Sequence, residues 1–351
     1  MTTRVNSIDY LRGALALSVM FYHYASWGLG NQGAENLLSR LGIYAVASFY
    51  VVSGISLYLV YSTTTWNSIS TAEFAKKRAL RIYPLYILVT LITLSITSQQ
   101  VDIVKLLGNL SIVFGFYSPN GHIPVGGWSV GNEIVFYVMF PLMMIMMRSM
   151  LTLAALAVGG LVLHAFFAFS VIDPEQSISS QSHHYMNPLN QVFFFIGGLF
   201  IGKFFSPGKG SRITIITFLL LGLAVFISWP ASGDRVELIS GWTRVAMTSA
   251  CLFVCLAVFM SNWDAAGWLG KALKVIGDTS YSTYLLHGPI AIIFLSVVYP
   301  ELKFIHSHHG KFFFLILVCA PLSILAGYIS FHKFESPIMR LGKRRLVLRP
   351  E

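Results

Sequence analysis

The sequence predicts an all-α fold, a polytopic membrane bundle of about ten transmembrane helices. Three observations predict it. Of the 351 residues 55% are hydrophobic and only 11% charged, where a soluble domain carries about 25% charged residues, and the mean hydropathy is +0.69. Apolar runs of spanning length recur from one end to the other, with no polar stretch long enough for an extra globular domain. The basic residues are distributed unequally between alternate loops. The chain therefore reads as a single membrane-embedded domain over 1–351, a helical bundle to about 335 and a basic cytoplasmic tail over 336–351.

The first span, 8–28, follows a single Arg4 and lacks a small-residue cleavage site, so it is expected to remain as helix one rather than to be removed as a signal peptide. The second is 41–61, where Ser53-Gly54 allows close helix packing. The third, 82–98, is opened by Lys76-Lys77-Arg78-Ala79-Leu80-Arg81. The stretch 101–117 holds Asp102, Lys105 and Asn109 and is too polar for a span, so it is expected to be interfacial or re-entrant. The fourth span, 124–147, opens with Gly126-Gly127-Trp128-Ser129 and carries Glu133. The remaining spans are 150–172, 188–206, 213–229, 241–261, 280–299 and 312–332.

Ten spans with an inner N-terminus place 17 of the 24 Lys and Arg in cytoplasmic segments and six outside, with Arg12 inside helix one. Both termini are therefore expected in the cytoplasm. The formal charge of +10 is read as this topogenic signal, not as a nucleic-acid surface. Cys251, Cys255 and Cys319 lie in apolar runs without a C-x-x-C pair and read as core hydrophobes. The loop histidines His183, His184, His306, His308 and His309 have no regularly spaced carboxylate, so no metal site is expected.

Ionisable residues inside a membrane span are costly and mark function. Arg12 and His23 are eleven residues apart, which on a helix puts them on one face and about 16 Å apart along the axis. Helix four descends from its outer end, so Glu133 lies about 12 Å below that end and can meet His23 at one level. A carboxylate beside an imidazole raises its proton affinity and fixes its tautomer, the arrangement of a general base. Arg78 and Arg81 are neighbours at a spacing of three and, converging with Arg12, would form a phosphate clamp; the competing reading is that they only enforce topology. A transporter whose Arg12 and His23 line a proton or anion path is a further alternative, against which no internal repeat is visible.

These residues fall into motifs that resemble the acyltransferase-3 family of integral-membrane O-acyltransferases along nearly the whole chain. They are Arg12 with His23 ten residues between; Phe49-Tyr50-Val51-Val52-Ser53-Gly54, similar to F-F-V-L-S-G; Arg78 and Arg81 followed by Tyr83-Pro84; Trp128-Ser129-Val130-Gly131-Asn132-Glu133 through Tyr137; Ser280-Tyr281-Ser282-Thr283-Tyr284-Leu285-Leu286-His287-Gly288-Pro289; and Glu335 with Pro337. The resemblance implies transfer of an acyl group, usually acetyl, from cytoplasmic acyl-coenzyme A to a hydroxyl of an extracytoplasmic carbohydrate such as a lipopolysaccharide O-antigen or exopolysaccharide, in a bacterial inner membrane. A small lipophilic secondary metabolite is the alternative acceptor. The chain looks like the stand-alone form, without the esterase-like domain many members carry. By the same resemblance Arg12, Arg78 and Arg81 hold the coenzyme A phosphates. His23 either deprotonates the acceptor or briefly carries the acyl group, and Glu133 supports it. Trp128, Ser129, Tyr137, Tyr284 and His287 are substrate-binding candidates, with His287 equally readable as a helix-to-helix hydrogen bond. No permanently bound cofactor is expected; acyl-coenzyme A is a substrate, and the other partners are the glycan or glycolipid acceptor and the bilayer.

Overall fold

The computed structural model describes residues 4–97, 99–302 and 307–342. They are helical, with no strand among them. In chain order the helices are α1 (Asn6–Leu29), α2 (Leu37–Tyr61), α3 (Ser68–Thr97), the short α4 (Ile103–Leu110) and α5 (Phe114–Tyr117), α6 (Gly127–Met146), α7 (Met150–Phe166), α8 (Ser182–Tyr185), α9 (Pro188–Phe204), α10 (Arg212–Ser228), α11 (Gly241–Ser261), α12 (Gly267–Asp278), α13 (Ser280–Ile293), α14 (His308–Phe314), α15 (Ala320–Ser330) and α16 (Ser336–Leu341). Polar side chains start many of them. Asn36, Asp102, Ser149, Asn187, Ser211 and Ser307 each accept a hydrogen bond from a first-turn backbone N–H, satisfying donors that a helix leaves orphaned.

Seven helical stretches among the described residues are long and apolar enough to cross a membrane: Leu37–Tyr61, Ser68–Thr97, Gly127–Met146, Met150–Val171, Gly241–Ser261, Ser280–Glu301 and His308–Leu341. The chain is a helical membrane protein. The count differs from the ten expected. The other three runs do form helices, but α9 and α10 are 17 residues each, and α1 is diluted by Asp9, Arg12, His23 and its tyrosines. The stretch 101–117 folds as α4 and α5, which pack against α3 and α6. The helical bundle also continues past 335: single π turns join α14, α15 and α16 into one run ending at Leu341. The rest of the expected tail, residues 343–351, and His306 lie outside the described residues.

Hydrocarbon offers helices no hydrophobic reason to associate, so close backbone approach at small residues carries much of the packing. Helix α2 packs on α9 in this way. A Cβ on Gly54 would stand 2.3 Å from the Phe195 carbonyl oxygen, and one on Gly198 would stand 2.1 Å from the Val51 carbonyl oxygen. Helix α1 meets α12 similarly, where a Cβ on Gly277 would lie 2.3 Å from the Asp9 carbonyl oxygen and one on Gly13 would lie 2.9 Å from Gly277 N. Helix α13 then runs beside α1, α3 and α15. Arg40 is buried as a staple, its guanidinium donating to the carbonyls of Phe226, Ile227 and Trp229 at 2.8, 3.0 and 2.8 Å. It thereby places a cation on the carbonyl end of α10.

A methyl group has no room at the α2–α9 contact because the opposing atoms are backbone. Gly198→Ala should destabilise the protein by about 1–3 kcal/mol, seen as a lower Tm of the detergent-purified protein. Gly159→Ala on α7, where a Cβ meets nothing within 4 Å, should leave Tm unchanged or slightly raised.

Candidate functional site

A cavity of about 580 Å3 lies among α1, α2, α3, α6, α12 and α13. Helical spacing explains which side chains reach it. Ser129, Glu133 and Tyr137 recur every four residues and form one stripe of α6, while Arg78 and Arg81 are adjacent on one face of α3. Asp9 and Arg12 come from α1, and Phe49, Tyr50 and Ser53 from α2; Val51 and Gly54 of the same motif touch α9 instead. The neighbouring Lys76 and Lys77 are exposed, so the basic cluster that opens α3 divides into two solvent-facing lysines and two cavity-facing arginines.

At one end of the cavity Arg4 bridges Asp9, at 2.5 Å, and Asp278. Arg12 donates to Asp9 Oδ1 and to Ser56 Oγ, both at 3.0 Å. Sequence gives Arg4 only a topogenic reading and no role to Asp278 or Ser56; the α1–α12 contact that brings Asp278 to Arg4 joins segments some 270 positions apart and leaves no local signal. Arg78 and Arg81 differ from Arg4 and Arg12 in making no ion pair or hydrogen bond among the described residues. The Arg78 guanidinium carbon lies 5.7 Å from the Phe74 ring centroid and 5.8 Å from that of Tyr137, and its Nε is buried without a hydrogen-bond partner. Glu133 feels Arg81, Arg12 and Arg78 most strongly. It therefore belongs with the arginines and not, as expected, with His23. Depth along α6 puts Glu133 inside the bundle, but depth does not say which neighbour a side chain faces.

At the other end the cavity stops at a polar knot. Ser129 Oγ donates to the Gly126 carbonyl at 2.9 Å, and the Tyr284 hydroxyl lies 2.8 Å from Ser129 Oγ and 3.0 Å from the Gly126 carbonyl. Gly126 has a φ of +74°, and a Cβ there would also strike the Tyr284 hydroxyl at 2.6 Å, so both conformation and space require glycine. One turn beyond Tyr284 is His287, fully buried, whose Nε2 lies 2.7 Å from His23 Nδ1. His287 was placed by sequence near the cytoplasmic end of its helix. It meets His23 because each histidine is ten positions beyond a glycine of the Gly13–Gly277 contact, which sets the register of the two helices. Neither imidazole lines the cavity itself. His122, in the loop entering α6, is close enough to influence His23; burial pushes its pKa down to about 4, leaving it neutral at pH 7. Of the substrate-binding candidates, Ser129, Tyr137 and Tyr284 line the cavity. Trp128 does not: its indole is buried against Tyr185, ring centroids 5.2 Å apart, because it points to the opposite side of α6 from Glu133.

Comparison with known proteins places these features in a lineage. A family model described as an acyltransferase domain, acyltransferase-3, matches residues 5–338. The chain is similar to the exopolysaccharide production protein ExoZ of Rhizobium meliloti, 25% identical over 319 residues that cover 88% of this chain and 92% of that one. It is 22% identical over 409 residues to O-acetyltransferase OatA of Staphylococcus aureus, covering 98% of this chain but 58% of OatA. It is 23% identical over 383 residues to acyltransferase MdmB of Streptomyces mycarofaciens, covering 98% of this chain and 94% of MdmB. No solved structure matches the chain.

Two guanidiniums that make no ion pair or hydrogen bond among the described residues suit an anion. Tripolyphosphate at about 100 times its Kd should stabilise the folded protein by about 2.7 kcal/mol, read as a rise in Tm. The pair Arg78→Gln and Arg81→Gln should remove that rise, whereas Lys76→Gln with Lys77→Gln should keep it. An equal rise in both double variants would leave the arginines a topogenic role alone.

Proposed function

The chain belongs to the acyltransferase-3 family, and we propose that it moves an acetyl or other acyl group from cytoplasmic acyl-coenzyme A to a hydroxyl of an extracytoplasmic carbohydrate. The observation that carries this reading is the unpartnered pair Arg78 and Arg81, set in a cavity that ends at Tyr284, one helical turn from the joined His23 and His287. Planar guanidinium forks suit bidentate phosphate recognition, which an ammonium cannot reproduce. Arg78, Arg81 and Arg12 would take the phosphates of the donor, with Glu133 offsetting part of their charge. The pantetheine arm would lie along the apolar and hydroxyl-bearing walls from α2 and α6, bringing the thioester to the Tyr284 end.

His23 acts there as general base. It removes the proton of the acceptor hydroxyl, the oxygen attacks the thioester carbonyl, the new C–O bond forms as the C–S bond breaks, and the departing thiolate takes the proton back from the imidazolium. The name of ExoZ supports an exopolysaccharide acceptor, and that of OatA supports acetyl as the group moved to oxygen.

Such vectorial chemistry fits a ten-span bundle in a bacterial inner membrane with both termini in the cytoplasm, formed by α1, α2, α3, α6, α7, α9, α10, α11, α13 and the α14–α16 run. Two of the six basic residues assigned outside, Arg40 and Arg244, are buried and hydrogen-bonded to carbonyls. The loop asymmetry behind this orientation is therefore sharper than the raw count.

His23→Ala should lower acetyl transfer by at least about 100-fold while acetyl-coenzyme A binding stays near wild type, because Arg12 lies about 16 Å away along α1 and Arg78 and Arg81 line the cavity, which His23 does not. Calorimetric binding together with alkali-labile acetate on surface polysaccharide measures both; near-normal acetylation by stable His23→Ala protein would sink the mechanism. Single cysteines at Asn36, Ser180 or Ser307, in a background free of the native three, should react with an impermeant thiol reagent on intact cells. One at Ser206 should not, and its labelling would overturn the ten-span orientation.

A further inference from the structure

We propose that His287 is a positioning residue that locks His23 in its Nδ1–H tautomer and so makes Nε2 the nitrogen that receives the acceptor's proton. The inference rests on the acyl-transfer reading for its chemistry and on hydrogen-bond logic for its geometry. His287 Nδ1 lies 2.5 Å from the Tyr284 carbonyl oxygen. A carbonyl can only accept, so this nitrogen carries a hydrogen. A neutral imidazole has one N–H, which leaves His287 Nε2 as an acceptor. That atom lies 2.7 Å from His23 Nδ1, which must then be the donor. The remaining nitrogen of His23, Nε2, keeps its lone pair. The ring geometry agrees: the planes are 11° apart and the centroids 5.0 Å apart, as for two imidazoles joined edge to edge through an N–H···N bond.

The assembly is braced on both sides. Tyr24, adjacent to His23 on α1, donates from its hydroxyl to the His287 carbonyl at 3.1 Å and lies 2.8 Å from Ser323 Oγ of α15. Trp27, one turn beyond His23, lies nearly parallel to both imidazoles, 11° from His23 and 17° from His287. His287 thus supplies what the carboxylate supplies in a catalytic triad, a fixed tautomer and ring orientation, without burying a negative charge. When Nε2 of His23 accepts the hydroxyl proton, its Nδ1–H still donates to His287. The imidazolium keeps its partner until the thiolate takes the proton.

Solid-state NMR of the protein carrying ring-15N histidine in lipid bilayers tests the tautomer directly, with the His23 signals identified by their loss in His23→Gln. Wild-type His23 should be protonated at Nδ1; protonation at Nε2 would overturn the proposal without any His287 variant. His287→Leu should release the lock, so that His23 loses the fixed Nδ1–H signature, while His287→Gln, whose amide oxygen can accept the same bond, should retain it. In membrane vesicles of the source cell supplied with acetyl-coenzyme A, His287→Leu should lower kcat on the order of 100-fold with donor KM little changed, and His287→Gln should recover most of the loss. A tautomer change with no change in kcat would refute the role given to Nε2. Wild-type vesicles that transfer no acetyl group would instead strike at the functional reading, and the spectra, which need no turnover, keep the two failures apart.

Discussion

Helix α1 and the α12–α13 segment touch backbone to backbone at Gly13 and Gly277, and the two ends of the site follow from that contact. Toward one end it brings Asp278 to Arg4, and with Asp9 these residues hold Arg12 in place. Toward the other, equal runs of ten residues carry His23 and His287 to the same height. A side chain on either glycine would push the helices apart at the level of the ion pairs and shift the register on which a 2.7 Å bond between two imidazoles depends. Packing at two residues with no chemistry of their own therefore determines which chemical groups can meet.

Sequence made much of this visible and concealed a definable remainder. Apolar length located nearly every helix, and the depth of Arg12, Arg78, Arg81 and Glu133 was enough to place them within one bundle. What remained hidden was azimuth and partnership. A period of 3.6 residues gives the face a residue shares with its own helix, but not the helix that face meets. Hence Glu133 stands among arginines and not beside His23, Trp128 packs on Tyr185 and does not line the cavity, and His287 makes the helix-to-helix hydrogen bond that was one of its two readings, level with a residue expected at another depth. Seven spans rather than ten stand out by length and composition for a related reason. A helix that turns a partly buried Asp9, Arg12 and His23 toward protein does not need to look apolar along its whole length, so composition measures its lipid contact rather than its place in the bundle.

The arginines of the cavity separate by electrostatics into two kinds. Arg4 is paired with Asp9 and Asp278, and Arg12 with Asp9, so Arg12 meets an anion with part of its charge already offset. Arg78 and Arg81 are held half-buried by α3, with aromatic faces near Arg78, Glu133 near both, and Glu335 near Arg81, none of these within ion-pair distance. Removing such charge from water without a full set of partners is costly. The low dielectric that makes it costly also strengthens any anion bound there. A site of this kind is poised for a polyanion and poorly suited to a neutral ligand, which is why donor recognition, on the proposed reading, falls to this end of the cavity and not to the histidines.

Between the arginines and the histidines stands the knot of Ser129, Tyr284 and the Gly126 carbonyl. Its three groups satisfy one another, so it closes the cavity without leaving a buried polar atom to be compensated. On the proposed reading the closure also keeps apart two chemistries that have opposite needs. Phosphate recognition requires charge, while a base that must remain unprotonated requires its absence. His23 is accordingly given a neutral partner, His287, beside a neutral His122, and the charged groups of the cavity lie beyond the knot. On the proposed reading a thioester must pass Tyr284 to reach Nε2 of His23. Breaking the knot for a slender acyl–pantetheine arm exposes two hydroxyls and a carbonyl that can bond the arm's amides in exchange. The same opening would admit a nucleotide only by drawing its phosphates away from Arg78 and Arg81, so the arginines that hold the donor also limit how far it can advance.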